Sequence, residues 1–264
     1  MNKSRIHRLF SARSGLLDRL GHIGLRFYLY RENLSFDPDV NGERFLLAAL
    51  SKHGYDCGTI MDIGANIGGW ADMAINIWPA ANLHLIDSSP SAVATLKKKY
   101  AGMVKLRIHH VAIGLEEGTI TVAENADTLS HSRVEVARKG ARNKLRMVSG
   151  AALCRAAKIE KIDLLKVDTE GFDLDVIHGF GDMIAQRKVG ILQFEHYAVS
   201  MCYRRPFSDA MQLLHDAGYQ LAKLFPDGVR LVTEKRDIFA EAVGPNFVAF
   251  SPDLTDLAQR LKSR

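Results

Sequence analysis

Apolar residues in this chain alternate between two patterns. Short runs at residues 59–63, 82–87, 104–114, 119–123, 162–168 and 189–197 have the length and β-branched content of strands. Between them, residues 41–53, 70–78, 90–100, 172–179 and 207–217 carry apolar side chains at helical spacing, and Pro79 and Gly218 close two of these stretches. Strand–helix alternation of this kind predicts an α/β fold: a doubly wound, mostly parallel sheet. Two late runs, 229–233 and 246–250, suit a closing antiparallel pair joined as a hairpin. No internal repeat or low-complexity linker interrupts the pattern. The expected organisation is therefore one domain over residues 54–264 with a helical extension over residues 1–53.

The extension differs from the rest. Apolar positions 9, 16, 20, 23 and 27 fall near helical spacing among basic residues. Residues 1–31 hold seven Lys/Arg (Lys3, Arg5, Arg8, Arg13, Arg19, Arg26, Arg31) against one acid, Asp18, for a net of +6. The whole chain sums to 35 − 30 = +5, so residues 32–264 sum to −1. The body is then no basic nucleic-acid surface. Charges interrupt every candidate apolar core of a signal peptide. Two fates fit such a helix: packing on its own domain, or peripheral contact with an anionic membrane.

With 47% hydrophobic and 25% charged residues, the chain can build one large core. Cys57, Cys154 and Cys202 are odd in number and widely spaced, which disfavours disulfides or a zinc site and suits a reducing compartment. No run approaches the roughly 18 apolar residues of a membrane span. The expected location is the cytoplasm, with the inner membrane surface as the alternative that the basic extension allows.

Chemistry is concentrated at the strand ends. The first run finishes in Asp62-Ile63-Gly64-Ala65-Asn66-Ile67-Gly68, a strand, a small-residue turn and then a helix. Dinucleotide sites want G-x-G-x-x-G and P-loops want G-x-x-x-x-G-K-[ST]. Here the glycines read G-x-x-x-G with no lysine, and Asp62 would repel a pyrophosphate but attract a cationic amino-acid end. Gly64 and Gly68 are expected to let the backbone turn and approach a ligand. Asp87 ends the second strand, 25 residues past Asp62, where a carboxylate can accept both hydroxyls of a ribose. Ser88 and the following residues then cap a helix with Pro90 in its first turn. The run 162–168 ends in Asp168, followed by Thr169, Glu170 and Gly171. Ligands in open parallel sheets bind outside the strands' carboxyl ends, so Asp62, Asp87 and Asp168 should converge.

Some signals have plain readings. His109 and His110 are adjacent on a strand and face opposite sides, so they are not read as a metal pair; they are expected beside the adenine side of a pocket. Five basic residues within 138–146 read either as a solvated loop or as a receiver of anionic substrate or membrane phosphates.

Asp62-Ile63-Gly64-Ala65-Asn66-Ile67-Gly68, the Val111-Ala112-Ile113-Gly114…Gly118 turn and Lys166-Val167-Asp168-Thr169-Glu170-Gly171, in this order, resemble the FkbM-type family of class I S-adenosylmethionine-dependent methyltransferases. The resemblance spans residues 59–250. It implies a Rossmann-like class I fold, S-adenosylmethionine as donor, a hydroxyl oxygen as acceptor atom, and a sugar, glycan or natural-product acceptor. Carried onto matching positions, it implies a cofactor site of Asp62, Gly64, Ala65, Asn66, Gly68, Asp87, Ser88, Ala112 and Asp168. Two positions depart from the family pattern: Asp87-Ser88-Ser89-Pro90 stands where a glutamate and proline are usual. Ser149-Gly150-Ala151-Ala152-Leu153 stands where a Leu-Asp pair is common.

An aliphatic hydroxyl needs a general base as the methyl arrives. His196 is the preferred candidate, with Glu195, Asp168 and Glu170 beside it. Alternatively, Asp168, Glu170 and Glu195 could gather Mg²⁺ to acidify the hydroxyl; a structural role for His196 stays open. The turn Asp168-Thr169-Glu170-Gly171 lacks the prolines of amino-methylating DNA and RNA enzymes, and an NAD-linked oxidoreductase would need the missing G-x-G-x-x-G. A non-catalytic cofactor-binding or scaffold protein remains the rival from another class.

Overall fold

The structure, a computed structural model, describes residues 15–123, 142–196, 206–232 and 246–263. In chain order, helices α1 (Gly15–Arg31) and α2 (Glu43–Lys52) precede β1 (Thr59–Ile63), α3 (Gly69–Ile77), β2 (Asn82–Asp87), α4 (Pro90–Lys99) and β3 (Leu106–His110). Next come β4 (Ala112–Gly114), β5 (Gly118–Ala123), β6 (Arg142–Ser149), α5 (Gly150–Ala157), β7 (Ile162–Val167), α6 (Asp173–Gly179), α7 (Gly181–Ala185) and β8 (Val189–Glu195). The chain continues through α8 (Phe207–Asp216), β9 (Gln220–Phe225), β10 (Gly228–Leu231), β11 (Asn246–Phe250), a 3₁₀ turn (Pro252–Leu254) and α9 (Thr255–Arg260).

Eight strands form the main sheet in the order β10-β9-β11-β8-β7-β1-β2-β3. Strands β3, β2, β1, β7 and β8 are mutually parallel, and β11 runs antiparallel to both β8 and β9. The sheet is the expected Rossmann-like, doubly wound, mostly parallel one. Alternating side chains of each strand feed two cores. Met61, Ile63, Leu165, Val167 and Phe194 pack against α6, α7 and α8 on one face. Ile60, Leu164 and Ile191 pack on the other face against α2, where Leu46, Leu47 and Leu50 are fully buried, and against α3. The expected division at residue 53 is thus no break in packing, because α2 belongs to the core. Among the described α-helices, α1 alone contributes no buried residue.

The closing strands pair differently from the expected hairpin. Strand β10 pairs with β9 at the sheet edge, and β11 inserts between β9 and β8, so the runs at 229 and 246 are not neighbours. Burial explains this. All five residues of β11 are buried, which an edge strand would not permit, whereas β10 is partly exposed.

The run 104–114 is also two strands. After β3 the chain leaves the main sheet, and β4 joins a separate sheet in the order β4-β6-β5. Part of the basic run expected as a loop is strand β6, where exposed Lys144 and Arg146 alternate with buried Leu145. Residues 138–141 of that run lie outside the described residues.

Candidate functional site

A cavity of about 560 Å³ opens where the carboxyl ends of β1, β2 and β7 meet the small sheet. Its floor is Ile63, Gly64 and Asn66 from the first turn, with Ile86, Asp87 and Ser88 beside them. Val111, Ala112 and Ile113 form one apolar wall, and Ile120 and Met147 from β5 and β6 another. Asp168, Thr169, Glu170, Phe172 and Asp175 close the far side. The central strand of the small sheet was hidden in the sequence because it lies inside a basic stretch with little apolar periodicity.

The strand register sets how deep each carboxylate lies. Asp62 pairs with Leu85 and Lys166, and Ile63 is the last residue of β1, paired with Ile86 and Val167. Asp87 therefore projects two residues beyond the level of Asp62, and Asp168 projects two residues beyond as well. At about 3.3 Å per residue this is roughly 6–7 Å. Asp87 reaches the cavity and Asp62 does not.

Asp87 is fixed by the turns after β1 and β2. Its Oδ2 accepts the Asn66 amide at 2.8 Å and its Oδ1 accepts the Ser89 amide at 2.8 Å. Burial raises its pKa, and those amides oppose the shift. Each carboxylate oxygen accepts more than one hydrogen bond, so capacity for a hydroxylated ligand remains.

Asp62 is 1% exposed, and neither carboxylate oxygen has a hydrogen-bond partner. Burial pushes its pKa up to about 7, against the pull of Lys166. It heads a polar row, Asp62–Lys166–Gln193, that crosses three strands on the α2 face. The Glu43 carboxylate at the start of α2 accepts the Gln193 amide at 2.7 Å and lies 3.8 Å from Lys166 Nζ. Lys166 also donates to Asp168 Oδ2 at 2.9 Å. Burial works against the ammonium, but Asp168, Glu43 and Asp62 outweigh it and hold Lys166 protonated.

The glycines are needed by the protein's own packing. At Gly64, φ is +83°, and an added Cβ would collide with the Asp168 carbonyl. At Gly68, φ is +81°, and a Cβ would strike the Tyr100 side chain, whose hydroxyl donates to the Gly68 carbonyl. Neither Gly68 nor Ala65 lines the cavity.

The turn after β7 carries a carboxylate missed in the sequence. Asp173, fully buried at the start of α6, accepts the Thr169 and Gly171 amides at 3.2 and 3.1 Å. Its D-x-E-G-x-D spacing was the available signal. Burial pushes Asp173 up to about 7. Glu170 sits in this turn at φ +54°, a left-handed conformation that costs a non-glycine residue about 1 kcal/mol or more.

Of the four expected catalytic groups, Asp168 and Glu170 line the cavity and Glu195 and His196 do not. Glu195 is buried among Asp168, Asp173 and Glu170, and burial first, then those acids, raises its pKa so that it stays protonated. His196 stacks on Phe207 with ring centroids 4.3 Å apart, its Nδ1 has no partner, and burial lowers its pKa to about 4. His109 is also outside the wall; it meets buried His84 at 3.0 Å, and burial keeps both rings neutral. Asp168, Glu170 and Glu195 do not form a cation cage, and no group of three or more His, Cys, Asp or Glu among the described residues does. The Asp168 Oδ2 atom is held by the Lys166 ammonium at 2.9 Å.

A cavity outside the carboxyl ends of a doubly wound sheet, with a carboxylate ending the second strand, is the usual ligand position of such α/β folds. Residues 62–221 match the model of the methyltransferase FkbM domain, and the chain belongs to that family. No curated protein matches the chain. Among solved structures, the precorrin-6y C5,15-methyltransferase of Geobacter metallireducens GS-15 is 12% identical, with 79% of this chain and 88% of that one covered and a TM-score of 0.41. The N-methyltransferase NodS of Bradyrhizobium japonicum WM9, in complex with S-adenosyl-l-homocysteine, is 14% identical, with 85% and 96% covered and a TM-score of 0.43. The Methanococcus jannaschii fibrillarin pre-rRNA processing protein is 15% identical, with 82% and 76% covered and a TM-score of 0.44. At these values the likenesses support no inference about ligand or reaction.

Proposed function

We propose that the protein transfers a methyl group from S-adenosylmethionine to a hydroxyl oxygen of a sugar, glycan or natural-product acceptor. The observation that carries this reading is the two-sided wall of the cavity. Asp87 offers acceptor capacity for a ribose, Val111, Ala112, Ile113 and Met147 offer apolar surface for a purine, and the opposite side is acidic. When bound, S-adenosylmethionine supplies an electrophilic methyl on a sulfonium.

The acidic side suits a hydroxylated acceptor. Asp168, Glu170 and Asp175 accept hydrogen bonds from hydroxyl groups and orient them, which lowers the barrier by positioning. Glu170 is our candidate general base. It faces the cavity from a conformation that costs energy, as residues held for function often do. Asp168 is tied to Lys166 and serves as a positioning group. We assign His196 a structural role, since it lies outside the cavity wall and stacks on Phe207. The methionine end of the donor is assigned to the turn 64–68, with Asp62 beneath it.

The test is transfer of a labelled methyl to a panel of hydroxylated glycans, run beside amino sugars with blocked hydroxyls. Label on oxygen, reduced about 10²-fold or more by Glu170→Gln, supports the reading. Label only on nitrogen, or a silent Glu170→Gln, contradicts it.

A further inference from the structure

We infer that α1 is an in-plane anchor for an anionic phospholipid surface, and that it fixes the carboxyl edge of the sheet near that surface. None of its 17 residues is buried. Leu16, Leu20, Ile23, Phe27 and Tyr30 recur at i, i+4, i+7, i+11 and i+14, one line down a helix. They are 69%, 54%, 64%, 69% and 78% exposed, values that belong to no folded core. At 100° per residue, Arg19 and Arg26 run along one edge of this stripe and Arg31 along the other. Apolar side chains can enter the acyl boundary while flanking guanidiniums meet lipid phosphates.

Charge selects the occupant. A second copy would set the same arginine edges against each other, with Asp18 the only acid in the helix. An anionic bilayer instead complements the arginines and the net +6 of residues 1–31. No described helix is long and apolar enough to cross a membrane, so contact would be in the plane.

The helix is loose along its length but firmly rooted. Directly after it, the buried Glu32 carboxylate accepts Lys223 Nζ at 2.8 Å and Arg230 Nη2 at 2.6 Å. Burial works against ionisation of Glu32, yet these two cations hold its pKa below the usual range. Asn33 donates from its amide to the Asn41 and Leu224 carbonyls. Lys223 shares one row of the sheet with Phe247, Phe194, Val167, Ile63 and Ile86. Ile63 and Ile86 line the cavity. The root of α1 and the cavity therefore lie at the same edge, with β1 and β9 four strand spacings, or about 19 Å, apart. This arrangement suits an acceptor whose hydroxyl is offered from a bilayer. The membrane contact itself does not depend on the methyl-transfer reading.

The test is co-sedimentation of the full chain with vesicles of pure phosphatidylcholine and of phosphatidylcholine with one third phosphatidylglycerol. Binding to the anionic vesicles should exceed binding to the neutral ones by about tenfold or more, and fall as salt rises. Ile23→Glu/Phe27→Glu should abolish it and Arg19→Glu/Arg26→Glu should weaken it strongly, both with unchanged thermal unfolding because these side chains are exposed. Equal binding to both vesicles, or none, overturns the proposal. So does a dimer that Ile23→Glu/Phe27→Glu converts to monomer while wild type ignores vesicles; a second copy would then cover the stripe.

Discussion

Asp62 and Asp87 are the same residue type at the ends of neighbouring parallel strands, yet they sit in opposite environments. Asp87 is the last residue of its strand, is held by two backbone amides, and forms part of the cavity wall. Asp62 stands one residue inside the end of β1, has no hydrogen-bond partner, and faces Lys166 beneath the turn. The difference comes from register, since two residues of depth separate a ligand-facing group from a buried charge. The first carboxylate shapes the floor electrostatically. The second lines the cavity.

The largest break in this comparison comes from Lys166→Met. It leaves Asp62, Asp168 and Glu43 clustered around an apolar side chain, and should cost roughly 3–5 kcal/mol in denaturant unfolding. Asp62→Asn in the same chain should recover part of that loss. A deficit under about 1 kcal/mol for Lys166→Met alone would mean that the buried row is not electrostatically coupled.

Asp62→Asn alone should change the pH dependence of stability. A carboxyl whose pKa is raised on folding, from its ordinary value near 4 to about 7, makes the folded chain bind more protons than the unfolded chain between those values. Stability is then greatest at the acid end of that window and falls as pH rises through 7, by up to about 1.4 kcal/mol per pH unit for each such group. Asp173 adds a second contribution of the same sign. Asp62→Asn should flatten the slope and stabilise the protein at pH 8 by roughly 1–3 kcal/mol. An unchanged slope would place the buried charge elsewhere.

A smaller effect sharpens the view of the opposite wall. Glu170→Gly relieves a left-handed non-glycine residue and should raise stability by up to about 1 kcal/mol while lowering methyl transfer. If stability falls instead, the Glu170 side chain holds its turn together.

Periodicity and turn residues made the doubly wound sheet legible, because buried parallel strands and amphipathic helices leave strong local patterns. The cavity residues Gly64, Asn66, Asp87, Ser88, Ala112, Asp168 and Glu170 were legible from their position after strands. Asp62, Ala65, Gly68, Glu195 and His196 do not line the cavity; sequence marks a strand's end only to within a residue or two and does not give the depth of a side chain below it. Of the small sheet, the runs 104–114 and 119–123 were legible, whereas Arg142, Lys144 and Arg146 mask its central strand, whose pairing is long-range. The fate of α1 was left open between packing and membrane contact, and the fold resolves only that nothing in it is buried.

The central claim is that the donor occupies the cavity beside Asp87, and calorimetric titration with S-adenosylhomocysteine tests it most directly. Wild type, Asp87→Ala, Asp87→Asn and Asp62→Asn would be compared at pH 8, each confirmed folded by circular dichroism. Losing charged hydrogen bonds to a ribose should weaken binding about 10²-fold in Asp87→Ala and somewhat less in Asp87→Asn. Asp62→Asn should stay within about tenfold of wild type, since its carboxylate is not in the wall. Full affinity in Asp87→Ala, or a larger loss in Asp62→Asn than in either Asp87 variant, would contradict the account.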